Sequence, residues 1–332
     1  MRDIIISVII AAYNASNTID NCIQSLLDQK YKKFEIIIVN DGSTDKTLEI
    51  LNKYNSLSYV TVVSQTNMGP SAARNTALKL VQGIYVTFVD SDDKVKPNYL
   101  SSLIKGYSFK DVDLSVTGIE QRFLNDKVKS ASDYLTGEKS SKDYLPYMIS
   151  DGGPQGFLVN KLWKTKIIKK YNLHFEENLI MQEDLLFNVQ YVIHTNKVYI
   201  GNEHTYIYYL HNSSLSNGMI SNNKNSKKVF YDGIKVWKKI YDLISCVNPV
   251  AASIVKVNLA KQYMYYLRWL YLHDNKNLAT IRKIRKIVFK NSSLILHSHT
   301  VQLKTKIATI LVMFFPHLIV LIDDLKLNRL KQ

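Results

Sequence analysis

Residues 4–40 read IIISVIIAAYNASNTIDNCIQSLLDQKYKKFEIIIVN. Residues 4–11 are a near-continuous apolar, mostly β-branched run, the pattern of a strand covered on both faces. Ile19, Cys22, Ile23, Leu26 and Leu27 then recur at helical spacing behind Ser16 and Asn17 as candidate caps. Residues 34–40 form a second apolar run. The unit strand–helix–strand repeats downstream, with a helix expected over 44–52 behind Ser43 and a strand over 60–64. Pro70 opens a helix to 81, at the early position where its missing N–H costs nothing. A fourth strand follows over 85–90. A βαβαβαβ series requires a mostly parallel, Rossmann-like α/β sheet with helices on both faces.

Beyond residue 111 the rhythm changes. Strands are expected over 113–117, 197–200 and 205–210, a helix over 183–194, and a polar, irregular surface excursion over 120–145. Residues 212–226 are rich in Asn and Ser and read as a linker. After it the chain reads as helical only, over 229–245, 250–273, 278–290 and 303–327. This sets a domain of residues 1–220 and a helical region of residues 221–332.

Hydrophobic residues are 46% and charged residues 21% of the 332, which excludes a disordered chain. The net charge of +15 is not spread evenly: residues 221–332 hold 20 Lys/Arg against 5 Asp/Glu, and the rest is close to neutral. A single-sign field confined to one region points to an anionic surface as partner. Two cysteines, Cys22 and Cys246, allow neither a metal cluster nor a disulfide framework. The N-terminal run lacks a cleavage site and reads as a buried strand rather than a leader, so a cytoplasmic chain is expected.

Ligands of open α/β sheets gather outside the carboxyl ends of the strands. Four polar clusters fall there: Ala12-Tyr13-Asn14, Asn40-Asp41-Gly42-Ser43, Asn67-Met68-Gly69 and Asp90-Ser91-Asp92-Asp93. Any one of them reads as a turn or cap; four along one rim read as a site. Neither G-x-G-x-x-G nor G-x-x-x-x-G-K-[ST] is present. Asp90 and Asp92 instead offer oxygens for a hard divalent cation, Mn2+ or Mg2+, whose shell substrate phosphates would complete. Capping of a helix near Pro97 is the plainer alternative for Asp92 or Asp93.

The segments 7–29, IIIVNDGSTDKT (36–47), QTNMGPSAARNTAL (65–78) and YVTFVDSDD (85–93), in this order and spacing, resemble a family 2 glycosyltransferase of the GT-A fold, of the bacterial capsule and exopolysaccharide type. The likeness continues more weakly through FLVNKLW (157–163), MQEDLLFNVQ (181–190) and YIYYLHNSSLS (206–216). It implies a sugar transfer from a UDP-sugar to a hydroxyl of a glycan acceptor on a polyprenyl lipid carrier. Tyr13 and Asp41 would hold the base and ribose, with Ala12, Asn14, Asn67 and Ser91 beside them. Arg74 would meet the diphosphate, although a surface ion pair is the alternative. Asp90 and Asp92 would be the metal pair. Asp184 would be the general base of an inverting transfer, and a helix-start carboxylate favoured by the dipole is its plainer reading. Glu183, Asn160, Lys161 and Trp163 are expected toward the acceptor, Trp163 by stacking on a sugar or else as core. His211 stands where relatives have arginine, and is expected near the donor diphosphate.

In the basic region, Leu278, Ile281, Ile284, Ile287 and Val288 face one side of a helix and Arg282, Lys283, Arg285, Lys286 and Lys290 the other, the pattern of an interfacial helix on anionic lipid. Residues 307–322 are apolar apart from Thr309, Pro316 and His317, too short to span, so they read as membrane-dipping or buried. A peripheral place on the inner face of the cell membrane follows, with no nucleic acid as partner and self-association left open. Two other classes compete. A nucleotidyltransferase needs a basic Gly-rich loop that AAYNASN does not supply, and an inactive membrane adaptor does not need Asp41, Asp90, Asp92 and Asp184.

Overall fold

The computed structural model describes residues 5–210, 226–319 and 321. His211 and the 212–225 linker lie outside the described residues. Those described divide into two compact units, one of residues 5–148 and 152–210, the other of 149–151 and the residues from 226 onward.

The first unit opens with β1 (Ile6–Ala12), α1 (Ile19–Leu27), β2 (Phe34–Asp41), α2 (Thr47–Asn52), β3 (Val60–Gln65), α3 (Pro70–Leu80) and β4 (Tyr85–Asp90). β1 pairs in parallel with β2 and with β4, and β2 in parallel with β3, so the carboxyl ends of all four strands share one edge. Successive residues Val8, Ile9 and Ile10, and likewise Ile36, Ile37 and Ile38, are buried, as a sheet covered on both faces requires. On one face Val8, Ile10, Ile36 and Ile38 pack against Ile19, Cys22, Ile23 and Leu26 of α1. Each such side chain contributes roughly 1.5–3 kcal/mol by leaving water.

The sheet continues through β5 (Lys94–Val95), α4 (Tyr99–Lys105), β6 (Val112–Phe123), β7 (Val128–Ala131), β8 (Gly137–Ser140), α5 (Ser141–Ile149), β9 (Lys161–Lys164), α6 (Thr165–Lys170), α7 (Glu183–Val192) and β10 (Lys197–Leu210). The described strands run in the order β3-β2-β1-β4-β9-β6-β10-β5, with β7 on β6 and β8 on β10. β9 lies antiparallel between β4 and β6, and places Trp163 opposite Val86 and Leu114.

Three expectations need correction. The second helix begins at Thr47 because Asp45 does the capping: its carboxylate accepts from the Thr47 N–H at 3.0 Å and from the Ser16 N–H at 3.1 Å. Ser43 instead accepts from the Asn14 N–H at 3.0 Å. Residues 120–145 are not irregular but hold the end of β6, then β7, β8 and the start of α5. All four residues of β7 are exposed, so it has no buried face to write a period-2 apolar signal. The two short strands expected after 197 are one, β10, bent by irregularities between Ile200 and Tyr206.

The second unit contains α8 (Ser226–Ile244), α9 (Pro249–His273), α10 (Leu278–Leu296) and α11 (Leu303–Phe314). Asn248 and Asn277 cap α9 and α10 through their side chains, accepting from the Ala251 and Thr280 N–H groups. Phe230, Ile234, Met264, Leu267, Ile281, Ile284, Val288 and Val312 form one core. Of the side of residues 278–290 expected to face lipid, Ile281, Ile284 and Val288 are thus spent inside the protein, Ile287 is half-buried and Leu278 is exposed. α11 breaks at Phe315, where Pro316 removes a helical donor and crowds the preceding turn, and residues 316–319 are helical again; residues 322–327 of the expected helix lie outside the described residues. Among the described residues, no helix is long and apolar enough to cross a membrane.

Candidate active site

The rim is built from the turns after the four parallel strands. Gly42 has φ +68°, and a Cβ there would come within 2.6 Å of the Asn67 backbone nitrogen, so only glycine lets the β2 turn pass under the β3 turn. Asn14 stitches the first turn to the second by accepting from the Thr44 N–H at 2.8 Å. Tyr13 stands clear of this scaffold at 49% exposure, and Asn67 and Met68 are exposed at the third turn. Ala12 is buried.

Asp41 sits differently from expectation. It is buried, and its carboxylate accepts from Gln65 Nε2 at 2.8 Å, the Met68 N–H at 3.0 Å and the Gly69 N–H at 2.8 Å. Three of its roughly four acceptor positions are therefore taken by the chain. Its immediate work is to hold the 67–69 turn in place, and a base or ribose could claim one further bond at most.

The fourth cluster divides its carboxylates. Asp93 is buried; one oxygen accepts from Tyr206 Oη at 2.7 Å, the other from the Tyr209 N–H at 2.8 Å. Burial and the nearby Asp90 and Asp92 push its carboxyl well up. It caps no helix, since α4 begins behind Asn98. Tyr206 Oη also accepts from the Asp90 N–H at 3.1 Å, so β10 grips the end of β4. Tyr206 was not singled out by its sequence, where it is one tyrosine in a strand rich in them. Asp92 is exposed and Asp90 and Ser91 half-buried at the rim. Among the described residues no three His, Cys, Asp or Glu side chains are grouped to hold a metal. Asp90 and Asp92 alone fit a hard divalent cation only if substrate oxygens complete its shell.

Arg74, on α3, joins the two halves of the site. Its guanidinium donates to Asp90 Oδ1 at 3.3 Å and Asp184 Oδ1 at 3.1 Å, and lies 3.5 Å from Glu183 Oε1. Only 11% of its side chain is exposed. Arg74 thus clamps three carboxylates, which raise its pKa against the cost of burial. Glu183 and Asp184 open α7 behind Gln182, whose left-handed φ of 65° is a strained choice for a non-glycine residue. Burial, then the neighbouring Asp184, push the Glu183 carboxyl up to about 8. Burial also raises Asp184, and Arg74 pulls it back.

The 160–163 segment belongs to the core, not to an acceptor surface. Trp163 is fully buried, edge-on to Phe187, Tyr191 and Phe88 with ring centroids 5.4, 4.8 and 6.5 Å away, and cannot stack on a sugar. Asn160 is buried and donates to the Thr117 carbonyl at 2.8 Å. Lys161 is buried too; its ammonium bonds the Phe157 carbonyl and, at 3.1 Å, Asn160 Oδ1. Burial lowers its pKa to about 7, opposed by Asp184.

Residues 7–165 match the family described as glycosyl transferase family 2. A cholesterol galactosyltransferase of Borreliella burgdorferi is 33% identical over 234 residues, which is 66% of this chain and 65% of that protein. This chain therefore spans less than two thirds of that relative's length. The poly(ribitol-phosphate) β-N-acetylglucosaminyltransferase TarS of Staphylococcus aureus is 30% identical over 61% of this chain and 35% of that protein. Its crystal structure over residues 1–349 with UDP-GlcNAc superposes with a TM-score of 0.63 at 21% identity, covering 96% of this chain and 88% of that one. The mannosyltransferase PcManGT of Pyrobaculum calidifontis, solved with GDP-Man and Mn2+, gives a TM-score of 0.53 at 16% identity over 93% and 87% of the two chains. The parallel rim, the ordered turn clusters and these likenesses agree: over residues 7–165 the chain carries a domain of glycosyltransferase family 2, in the GT-A fold.

Proposed function

We propose that this protein transfers a sugar from a UDP-sugar to a hydroxyl of a glycan acceptor, with inversion, in bacterial surface polysaccharide synthesis. The observation that supports the reading is the convergence of Asp90 and Asp184 on one guanidinium, as expected if a leaving-group site lies beside a base. The donor class is supported by UDP-GlcNAc in the TarS structure. Tyr13, Asn67 and Ser91 are then the exposed or half-exposed rim residues nearest to a nucleotide's reach, with Asn14 and Asp41 holding the turns beneath them. His211 keeps its place in the proposal as a donor-side residue.

Asp90 and Asp92 would hold Mn2+ or Mg2+, a fit favoured by Mn2+ in the PcManGT structure. A divalent ion there supplies positive charge to the departing diphosphate. Asp184 takes the proton from the attacking hydroxyl. Glu183 is unsuited to that task, because with its carboxyl pushed up to about 8 it holds a proton at neutral pH. Burial raises the Asp184 carboxyl as well, so its contact with Arg74, rather than a difference in titration from Glu183, supports it as the base. Arg74 aims Asp184 and opposes the rise that burial gives its carboxyl. The acceptor is assigned to a polyprenyl lipid at the cytoplasmic face of the membrane, with catalysis in the first unit and surface attachment in the second.

Asp184→Asn tests the reading. The amide can still accept from Arg74, so calorimetry should show UDP binding unchanged while transfer falls roughly 10²–10⁴-fold. Loss of UDP affinity, or transfer at the native rate, refutes Asp184 as base.

A further inference from the structure

The second unit leaves one face of α11 uncovered. Thr309, Val312 and Met313 are buried, whereas Leu303, Ile307, Ile310 and Phe314 are exposed, from 41% for Ile310 to 71% for Leu303. Spacings of four, three and four residues align them in a single row. Phe315 and Leu318, just beyond, are exposed as well. Scattered surface apolar residues need no explanation, but a contiguous row does.

Alongside lies α10, with Phe289 edge-on to Phe314 at 5.4 Å and Arg285 donating to the Met313 carbonyl at 3.0 Å. The buried side of α10 serves the core, so its outward contribution is charge: Arg282, Lys283, Lys286 and Lys290 are all exposed. From residue 275 to 322 the chain contains no Asp or Glu. Within residues 275–322 the apolar row therefore has a basic border and no acidic residue.

We infer that the exposed row of α11 and the basic side of α10 form one docking surface for an anionic lipid bilayer. The apolar row enters the acyl boundary while the basic side chains meet the headgroups. A second copy of the chain is the poorer occupant, because twofold burial of the same patch would press two basic borders together. The inference rests on the proposed membrane-side acceptor for its purpose, though not for its geometry.

The test is co-sedimentation of the full chain with vesicles of phosphatidylcholine, alone or mixed with phosphatidylglycerol, at low salt. The native chain should pellet with the mixed vesicles and stay in solution with the neutral ones. Ile307→Gln with Phe314→Gln, and separately Lys286→Glu with Lys290→Glu, should each weaken binding at least about tenfold, at about 1 kcal/mol per basic residue near the surface. Far-UV circular dichroism and the melting profile should be unchanged in both, which shows that the helical unit folds, and UDP binding by calorimetry should be unchanged as well. Failure of the native chain to bind mixed vesicles, or undiminished binding by both variants, overturns the inference. So does concentration-dependent dimerisation that the variants abolish without altering lipid binding. Vesicle binding without sugar transfer would sink the proposed function and leave this surface standing; transfer without vesicle binding would do the reverse.

Discussion

The rim at 90–92 and the strand at 160–163 offer similar material: polar, chemically able side chains inside segments that resemble one family. The structure uses them in opposite ways. Asp90 ends a parallel strand and Asp92 follows it, where the backbone leaves the sheet and side chains reach open space. Asn160 and Lys161 lead into β9, which runs between β4 and β6, where every direction is filled by protein. A polar residue has different work at a strand's end and in a sheet's interior. The first can meet a ligand, and the second must be satisfied by the chain itself.

The largest test of that contrast is Trp163→Ala. Emptying a site lined by Phe88, Phe187 and Tyr191 should cost about 3–5 kcal/mol in a urea titration. Native stability with a raised acceptor KM would return Trp163 to the cleft. Next comes Asp90→Ala, expected to lower kcat/KM roughly 10²–10³-fold with the melting temperature hardly moved; a collapse of stability would make it a structural residue like Asp93.

The subtlest readout belongs to Lys161, whose effect appears only as a dependence on pH. Its folded pKa, lowered by burial to about 7, lies below that of the unfolded chain. Between that value and the ordinary lysine range the unfolded state binds more protons, so stability rises with pH by up to about 1.4 kcal/mol per unit. In Lys161→Met this contribution is absent. The stability difference between native and variant should therefore shift in favour of the native chain from pH 7 to 9.5, as read by denaturant melts at both values. A difference that does not move with pH breaks the assignment.

The four parallel strands and their turn clusters were legible because β-branched runs, helical spacing and Gly/Asn/Asp turns agree over residues 4–93. Asp90, Asp92 and Asp184 could be picked out for the same reason, each standing at the end or start of an element. The burial of Trp163 could not, because FLVNKLW reads equally as pocket wall or as strand until its neighbours are known. Asp41 and Arg74 were recognised as site residues, yet their nearest partners were not: Gln65 is 24 residues from Asp41, and Asp184 is 110 from Arg74. No local pattern encodes such pairings. The α10 helix misled for a related reason, as an amphipathic period shows that one side is buried without naming what buries it.

The grip of Tyr206 on the end of β4 also bears on how the candidate site is assembled. Tyr206 is 116 residues from Asp90 and 113 from Asp93, much like the separation that Arg74 closes to Asp184. Closing such long loops costs entropy that only the finished sheet returns. Helices and the β1–β4 core can form early from nearby chain, while the carboxylates reach their final spacing only after β10 has docked. In a refolding experiment the circular dichroism would recover before turnover, and on the ribosome the site would assemble only once the chain had emerged past Leu210.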